Sequence, residues 1–277
     1  MSLMSKLLMS SLIATVTLSA AIQPDNQTLV KYVRNTVVKN PNVKVKGVTV
    51  LESKTHKALP GWTILLTTMD LNYRKKEVHV PKIMFIKDGL VAEGLVDLKT
   101  GKDYKDEIKP TVSSSYYNDA HLLFGNKDAK HKILVFSDPQ CPFCKEVVPD
   151  IIKAAKENPS KIALYYYHLP LVRIHPVSDI LTKIMHVAQE EGKMDMIEKM
   201  YALKIKLRER DVKKVLAAVK KQTGYVVSAE KINAKEVKDA LKADTDAATR
   251  MMVSGTPTVY IDGKWDRNRD GYKNLIK

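Results

Sequence analysis

The pattern of apolar and polar positions gives the first third of the chain a β-rich character. Residues 27–39 place apolar side chains at helical spacing, and Asn40-Pro41 ends that helix because the residue before a proline avoids helical angles. Turn signals separate the β-rich runs that follow: Pro60-Gly61, Asp88-Gly89 and Thr100-Gly101. The runs cover residues 43–51, 62–71, 77–86 and 90–98. We predict one helix followed by a small antiparallel sheet.

The rest of the chain alternates strands and helices. A strand at 131–137, a helix at 141–158 and a strand at 161–168 imply a parallel pair joined by a right-handed crossover. The helical stretch 178–241 is long for a plain connection, so we predict an inserted helical subdomain. A final strand is predicted at 257–263.

The N-terminus has the pattern of a secretory signal peptide. Lys6 precedes the apolar run 7–18, and the small residues Ser19-Ala20-Ala21 follow it. The run is shorter than the ~20 apolar residues of a membrane-spanning helix. We therefore expect residues 1–21 to be removed and the rest to be exported as a soluble protein. The predicted divisions of the mature chain are an N-terminal domain at 22–105, a linker at 106–120 and a catalytic domain at 121–277.

Composition limits the other classes of function. The chain has 277 residues, a formal net charge of +15 and 44% hydrophobic residues, which excludes a disordered chain and a polytopic membrane protein. Only 2 Trp and 4 Phe are present, which gives little support to an aromatic platform for nucleic acid, and no nucleic acid partner is expected. The 2 cysteines exclude a disulfide-rich scaffold and a four-cysteine zinc site.

Both cysteines lie in one motif, Cys141-Pro142-Phe143-Cys144, between an apolar strand and an amphipathic helix. The free N–H groups and partial positive charge of a helix N-terminus stabilise a thiolate there, so we expect a lowered pKa for Cys141. Half of a zinc site and a structural disulfide are the alternatives, but no second C-x-x-C or H-x-x-x-H is present, and so short a loop adds little stability. The prediction is a redox-active pair that needs no metal and no other cofactor.

A family resemblance rests on four stretches and on the order of the domains. The stretches are FSDPQCPFC, CKEVVPDIIKAA, YYYHLPLVRIHP and GTPTVYIDG. They resemble the thioredoxin superfamily, specifically its exported DsbA/DsbC/DsbG branch. The small domain followed by a linker and a catalytic domain resembles the DsbC/DsbG type. The stretch MFIKDGLVAEGLVDLKTGKD resembles the segment with which those proteins pair two subunits.

The resemblance implies an α+β fold with two domains: a cystatin-like helix-plus-antiparallel-sheet dimerisation domain, and a thioredoxin-like domain with a helical insertion. It implies that Cys141 is the nucleophile and Cys144 the resolving thiol. It also implies that Thr256 and a cis Pro257 bind substrate, and that Pro142 and Phe143 form the active-site dipeptide.

The implied function is an exported thiol:disulfide interchange protein that isomerises or reduces wrong disulfides in envelope proteins. The implied location is the periplasm. The implied partners are unfolded or misoxidised envelope proteins, a membrane redox partner of DsbD or DsbB type, and a second copy of the chain in a homodimer.

Departures from the family pattern leave alternatives open. Thr256 before the proline resembles the isomerase branch, whereas DsbA-type oxidases usually have Val there, and Val135 stands where DsbA carries an acid. The dipeptide Pro142-Phe143 is close to the Pro-Tyr of DsbG and differs from the Gly-Tyr of DsbC and the Pro-His of DsbA. A DsbA-like oxidase remains an alternative, as does a holdase chaperone or sulfenic-acid guardian. His168 and His175 could tune the thiolate but are not assigned a catalytic role.

Overall fold

The computed structural model describes residues 24–73 and 75–276, which contain two β-sheets and the helices packed on them. The predicted signal peptide at 1–21 lies outside the described residues. Within them, no helix combines the length and the apolar character that crossing a bilayer requires.

The first sheet is antiparallel and has the strand order β1-β2-β3-β4. Its strands are β1 Val43–Lys54, β2 Thr63–Tyr73, β3 Lys76–Lys87 and β4 Leu90–Ala92. The helix α1, Asn26–Tyr32, continues as one π-helical turn, and its buried Leu29 lies in the apolar cluster on one face of the sheet. The predicted helix and sheet are present in the described residues.

The fourth strand is shorter than the apolar pattern suggested. Pairing with β3 ends at Ala92, whereas the sequence predicted a strand over 90–98. Asp97 turns the chain because its carboxylate accepts hydrogen bonds from the N–H groups of Lys99 and Thr100, at 3.0 and 2.8 Å. Leu98 in this turn is almost fully exposed.

The polar stretch that the sequence suggested as a linker is packed against both sheets. The helix α2, Tyr104–Ile108, overlaps the start of the predicted linker 106–120, and its Tyr104 and Ile108 are buried. These two side chains share an apolar cluster with Phe85 of β3 and with Met252, which follows the last long helix. The N–H of Val112 donates to the carbonyl of Gly263 at 3.0 Å.

The second sheet has the strand order β5-β7-β6-β8-β9. Its strands are β5 Leu122–Phe124, β6 His131–Ser137, β7 Ile162–His168, β8 Thr258–Ile261 and β9 Lys264–Asp266. The strands β6 and β7 are parallel, as predicted, and α3, Pro142–Glu157, connects them. The sequence analysis missed β5 because it is only three residues long. Gly125 after it has φ +86° and no room for a side chain, since a Cβ would meet the carbonyl of Ile162.

The helical insertion consists of α4 Ser178–Glu190, α5 Asp195–Ala202, α6 Val212–Thr223, α7 Ala229–Ile232 and α8 Lys235–Arg250. It therefore ends later than the predicted residue 241. Buried side chains of α4 and α5, including Leu181, Ile184 and Ile197, share one core with Val148 and Ile152 of α3. This packing fixes α3, and with it the two cysteines, against the sheet. The chain thus has the predicted mixed α+β architecture.

Candidate active site

The two cysteines lie where β6 passes into α3. Cys141 is the N-cap residue of α3 in an extended conformation, and Pro142 occupies the first helical turn, where its missing N–H removes no internal hydrogen bond. Cys144 lies one helical turn later. The relative exposure of Cys141 is 5% and that of Cys144 is 0%, and both are free thiols. A protein substrate can therefore reach the sulfur of Cys141 more readily than that of Cys144.

The environment shifts the pKa values of the two thiols in opposite directions. A hydrogen bond from the Cys144 thiol is the largest cause that lowers the pKa of Cys141, to about 5, against the opposing effect of burial. Hydrogen bonds from the N–H groups of Cys144 and Phe143 lower it further. Burial raises the pKa of Cys144, and its hydrogen bond to Cys141 adds to that effect. Cys141 is thus the thiolate and Cys144 the protonated partner.

The loop before β8 brings Thr256 and Pro257 to the cysteines. The Thr256-Pro257 peptide bond is cis, as the resemblance implied. The Cys141 thiol donates to the carbonyl oxygen of Thr256 at 3.3 Å. When Cys141 is a thiolate this carbonyl loses its donor and is free to accept from a substrate N–H.

The dipeptide between the cysteines is partly exposed. The side chain of Phe143 has a relative exposure of 61%, and the guanidinium carbon of Arg269 lies 5.9 Å from the centre of its ring. An exposed aromatic ring directly beside Cys141 offers an apolar contact to a bound polypeptide.

Asp138 organises the backbone around the cysteines, and the sequence analysis missed it. Its buried carboxylate accepts from the N–H of Gln140 at 2.7 Å, the N–H of Leu171 at 2.8 Å, the ring of His175 at 3.0 Å and the hydroxyl of Ser178 at 2.6 Å. Its own carbonyl accepts from the N–H of Cys141 at 3.2 Å. The only signal in the sequence was its place three residues before Cys141.

The two histidines near the motif have different environments. His175 is buried, and its ring hydrogen-bonds the Asp138 carboxylate. His168 lies at the end of β7, is fully buried, and has its pKa lowered to about 4 by burial. It stacks edge-on against Tyr166, with ring centres 5.0 Å apart. Within the described part of the chain, neither ring forms a hydrogen bond with the Cys141 thiol, whose partner is the Thr256 carbonyl.

A chain of buried hydroxyl groups lies behind Cys144. The hydroxyl of Ser137, at the end of β6, is 2.6 Å from that of Tyr201 on α5. The hydroxyl of Tyr201 is in turn 2.7 Å from that of Tyr166 on β7. A hydrogen bond from the Ser137 side chain acts to lower the pKa of Cys144, against the larger effect of burial.

Comparison with known proteins places this site in a family. The thioredoxin family matches residues 117–277, which include both cysteines and the cis-proline loop. A probable disulfide bond formation protein D of Bacillus anthracis is 22% identical over 190 residues, covering 65% of this chain and 86% of that protein.

A Na(+)/H(+) antiporter NhaA 3 of Salinispora tropica is 25% identical over 175 residues, covering 62% of this chain and 24% of the antiporter. The chain thus spans about a quarter of the length of the antiporters it matches. Among solved structures, oxidised BdbD from Bacillus subtilis has a TM-score of 0.48 at 17% identity, covering 61% of this chain and 93% of that one. ScsC of Proteus mirabilis in a transitional conformation has a TM-score of 0.47 at 20% identity, covering 58% of this chain and 74% of that one.

The family match confirms the resemblance that the C-x-x-C motif and the Thr-Pro loop suggested. It covers more than half of the chain and includes every residue of the site described above. The chain belongs to the thioredoxin family, whose model matches residues 117–277.

Proposed function

We propose that this chain isomerises or reduces wrong disulfides in exported proteins, with Cys141 as nucleophile and Cys144 as resolving thiol. The opposite displacement of the two thiol pKa values within one helical turn carries the roles of the two cysteines. Thr256 before the cis proline is the observation that favours isomerisation or reduction. A stable thiolate at Cys141 attacks at neutral pH, while Cys144 stays protonated until a mixed disulfide has formed.

The first step forms a bond between Cys141 and one sulfur of the substrate disulfide, and the other substrate sulfur leaves as a thiolate. In isomerisation, another substrate thiolate then attacks the substrate sulfur of the mixed disulfide and releases Cys141 as a thiolate. In reduction, Cys144 attacks Cys141 instead, so that the Cys141–Cys144 disulfide forms and the substrate gains two electrons. Reduction requires a dithiol partner that reduces the Cys141–Cys144 disulfide again, and we propose a membrane partner of DsbD type. If the chain is an oxidase, the proposed membrane partner is of DsbB type.

The substrates we propose are unfolded or misoxidised envelope proteins in the periplasm. Two features support a polypeptide ligand: the Thr256 carbonyl next to Cys141 and the exposed ring of Phe143. An extended segment would pair with the backbone at Thr256-Pro257, while its apolar side chains contact Phe143.

We propose that the N-terminal domain pairs two copies of the chain. The stretch 90–98, part of the segment that resembles a subunit-pairing segment, exposes Leu90, Val96 and Leu98 with relative exposures of 69%, 62% and 99%. Apolar side chains this exposed gain from burial against a second copy. A homodimer would place two Cys141 thiolates in one assembly.

A dithiol oxidase is the second candidate. The name of the Bacillus anthracis relative, a probable disulfide bond formation protein, favours it, as does the lowered pKa of Cys141. A stabilised thiolate favours the reduced form of the pair, which makes its disulfide a stronger oxidant. Thr256 before the cis proline, as in the isomerase branch, favours the first candidate.

One pair of assays separates the two candidates. The reduced protein is added to a substrate with scrambled disulfides, and the oxidised protein to the same substrate fully reduced. We expect recovery of native substrate to be faster in the first assay and to be lost in Cys141→Ser, with Lys153→Ser on the exposed side of α3 as the control. Faster recovery in the second assay would favour the oxidase, and activity of Cys141→Ser in both would overturn the proposal.

A further inference from the structure

The reduction step requires Cys144 to become a nucleophile, although its surroundings disfavour a thiolate. Cys144 is fully buried, and burial raises its pKa. The carboxylate of Asp138 only accepts hydrogen bonds, from four groups, so it cannot donate one to a thiolate. The negative charge that develops on Cys144 needs hydrogen-bond donors, and the Ser137 side chain and the Asp138 backbone are those that favour it most.

Hydroxyl groups occupy the interior side of Cys144. The hydroxyl oxygen of Tyr201, on α5, lies 2.6 Å from that of Ser137 on β6 and 2.7 Å from that of Tyr166 on β7. All three side chains are buried. Buried hydroxyl groups in a chain polarise one another, so the donor at the end of the chain is stronger than an isolated serine.

We propose that the Ser137–Tyr201–Tyr166 chain stabilises the Cys144 thiolate during resolution of the mixed disulfide. This inference rests on the proposed function, because it concerns the second step of that reaction. Either oxygen of each pair can be the donor, so the chain can orient with Tyr166 donating to Tyr201, Tyr201 to Ser137, and Ser137 to the Cys144 sulfur. In this proposal Ser137 donates directly to the Cys144 sulfur, whereas Tyr201 and Tyr166 act through Ser137 as positioning residues.

The step balances without any external reagent. The Cys144 sulfur forms a bond to the Cys141 sulfur, and the bond between Cys141 and the substrate sulfur breaks. The substrate sulfur leaves with the electron pair of that bond, and it takes up the proton that Cys144 loses. The hydroxyl chain keeps its own protons and only reorients them toward Cys144.

The titratable groups around Cys144 are few. Cys141 and Asp138 face it from the start of α3 and the loop before it, Tyr166 from β7 and Tyr201 from α5. Burial raises the pKa values of both tyrosines, so they remain neutral hydroxyl donors across the range in which thiols titrate. A pH profile of resolution therefore reports the Cys144 thiol rather than either phenol.

The experiment uses the reduced full chain and Ellman's reagent. Attack by Cys141 releases one thionitrobenzoate and leaves a second in a mixed disulfide, which Cys144 then releases. The variants Ser137→Ala and Tyr201→Phe each break the chain and leave Cys141 in place. The control Tyr260→Phe removes an equally buried hydroxyl, which donates to the carbonyl of Met251 at 3.2 Å.

We expect the second release to slow by about tenfold in Ser137→Ala and Tyr201→Phe, the effect of one hydrogen bond to a charged group. We also expect its pH midpoint to rise, with the first release unchanged and Tyr260→Phe unaffected. A second release that keeps its wild-type rate and midpoint in both variants would overturn this inference alone. Absence of the first release in the wild type would instead overturn the proposed function.

Discussion

At the scale of single residues, the chemistry rests on a difference between two chemically identical side chains. Cys141 lies at the N-terminus of α3, where hydrogen-bond donors surround its sulfur, and Cys144 is buried in the core. The Cys144 thiol donates a hydrogen bond to the Cys141 sulfur, and this contact lowers the pKa of Cys141 while it raises that of Cys144. The C-x-x-C spacing thus produces one thiol with a lowered pKa and one with a raised pKa.

The first prediction is that alkylation of Cys141 reaches half its maximal rate at about pH 5, because its pKa lies there. A folded-state pKa below the ordinary value stabilises the reduced protein at high pH, and this stabilisation is lost as the pH falls through 5. Cys144→Ala removes the hydrogen bond that lowers the pKa of Cys141 most, so the pH midpoint of alkylation should rise. A wild-type midpoint near that of an ordinary thiol, ~8.5, would contradict the assignment.

The second prediction concerns Asp138. Asp138→Ala leaves buried donors without an acceptor, each at a cost of ~1–3 kcal/mol, so we expect the free energy of unfolding to fall by at least about 3 kcal/mol. Asp150→Ala, at an exposed position of α3, is the matched control and should change it by less than about 0.5 kcal/mol. Urea unfolding of the reduced proteins measures both. Equal stability of the two variants would refute the structural role of Asp138.

At the scale of elements, α2 and Met252 pack together on the first sheet. Ile108 and Tyr104 pack with Phe85 and Met252 in one cluster, although they lie far apart in the sequence. The strands and α3 could be predicted because the spacing of apolar residues and the turn residues are properties of short stretches of sequence. These local properties did not predict this cluster, because the polar residues around Ile108 dominate its stretch and its partners are remote.

The active site divides in the same way. Cys141, Cys144 and Pro257 could be predicted because their motifs are local and specific, and the structure brings all three together. Asp138 and Ser137 could not, because a buried carboxylate or hydroxyl has no distinctive spacing. Their roles follow from partners on α4, α5 and β7, which only the folded chain brings near.

The third prediction is that Ile108→Ala lowers the free energy of unfolding by ~2–5 kcal/mol, because it leaves a cavity among buried side chains. Val226→Ala, at a position with 63% relative exposure, provides the control and should have little effect. Denaturant unfolding followed by circular dichroism compares the two. If Ile108→Ala were as stable as the control, α2 would not contribute to the core.

At the scale of the whole molecule, the thioredoxin-family region 117–277 follows a smaller sheet whose last strand and following turn expose apolar side chains. The fourth prediction is that the chain elutes as a dimer and that Leu90→Asp with Leu98→Asp makes it a monomer, because charges at these exposed positions oppose burial. Val226→Asp, at a position with 63% relative exposure in the thioredoxin-family region, should remain a dimer. Light scattering measures the mass, and a wild-type monomer at micromolar concentration would contradict the proposed pairing.

The central claim is that Cys141 forms a mixed disulfide with a substrate protein and that Cys144 releases it. The most direct measurement is trapping with Cys144→Ser, in which resolution cannot occur. After incubation with a scrambled disulfide substrate, we predict a covalent complex that mass spectrometry maps to Cys141 and that is absent from Cys141→Ser. No complex with Cys144→Ser, or the same complex with both variants, would contradict the account.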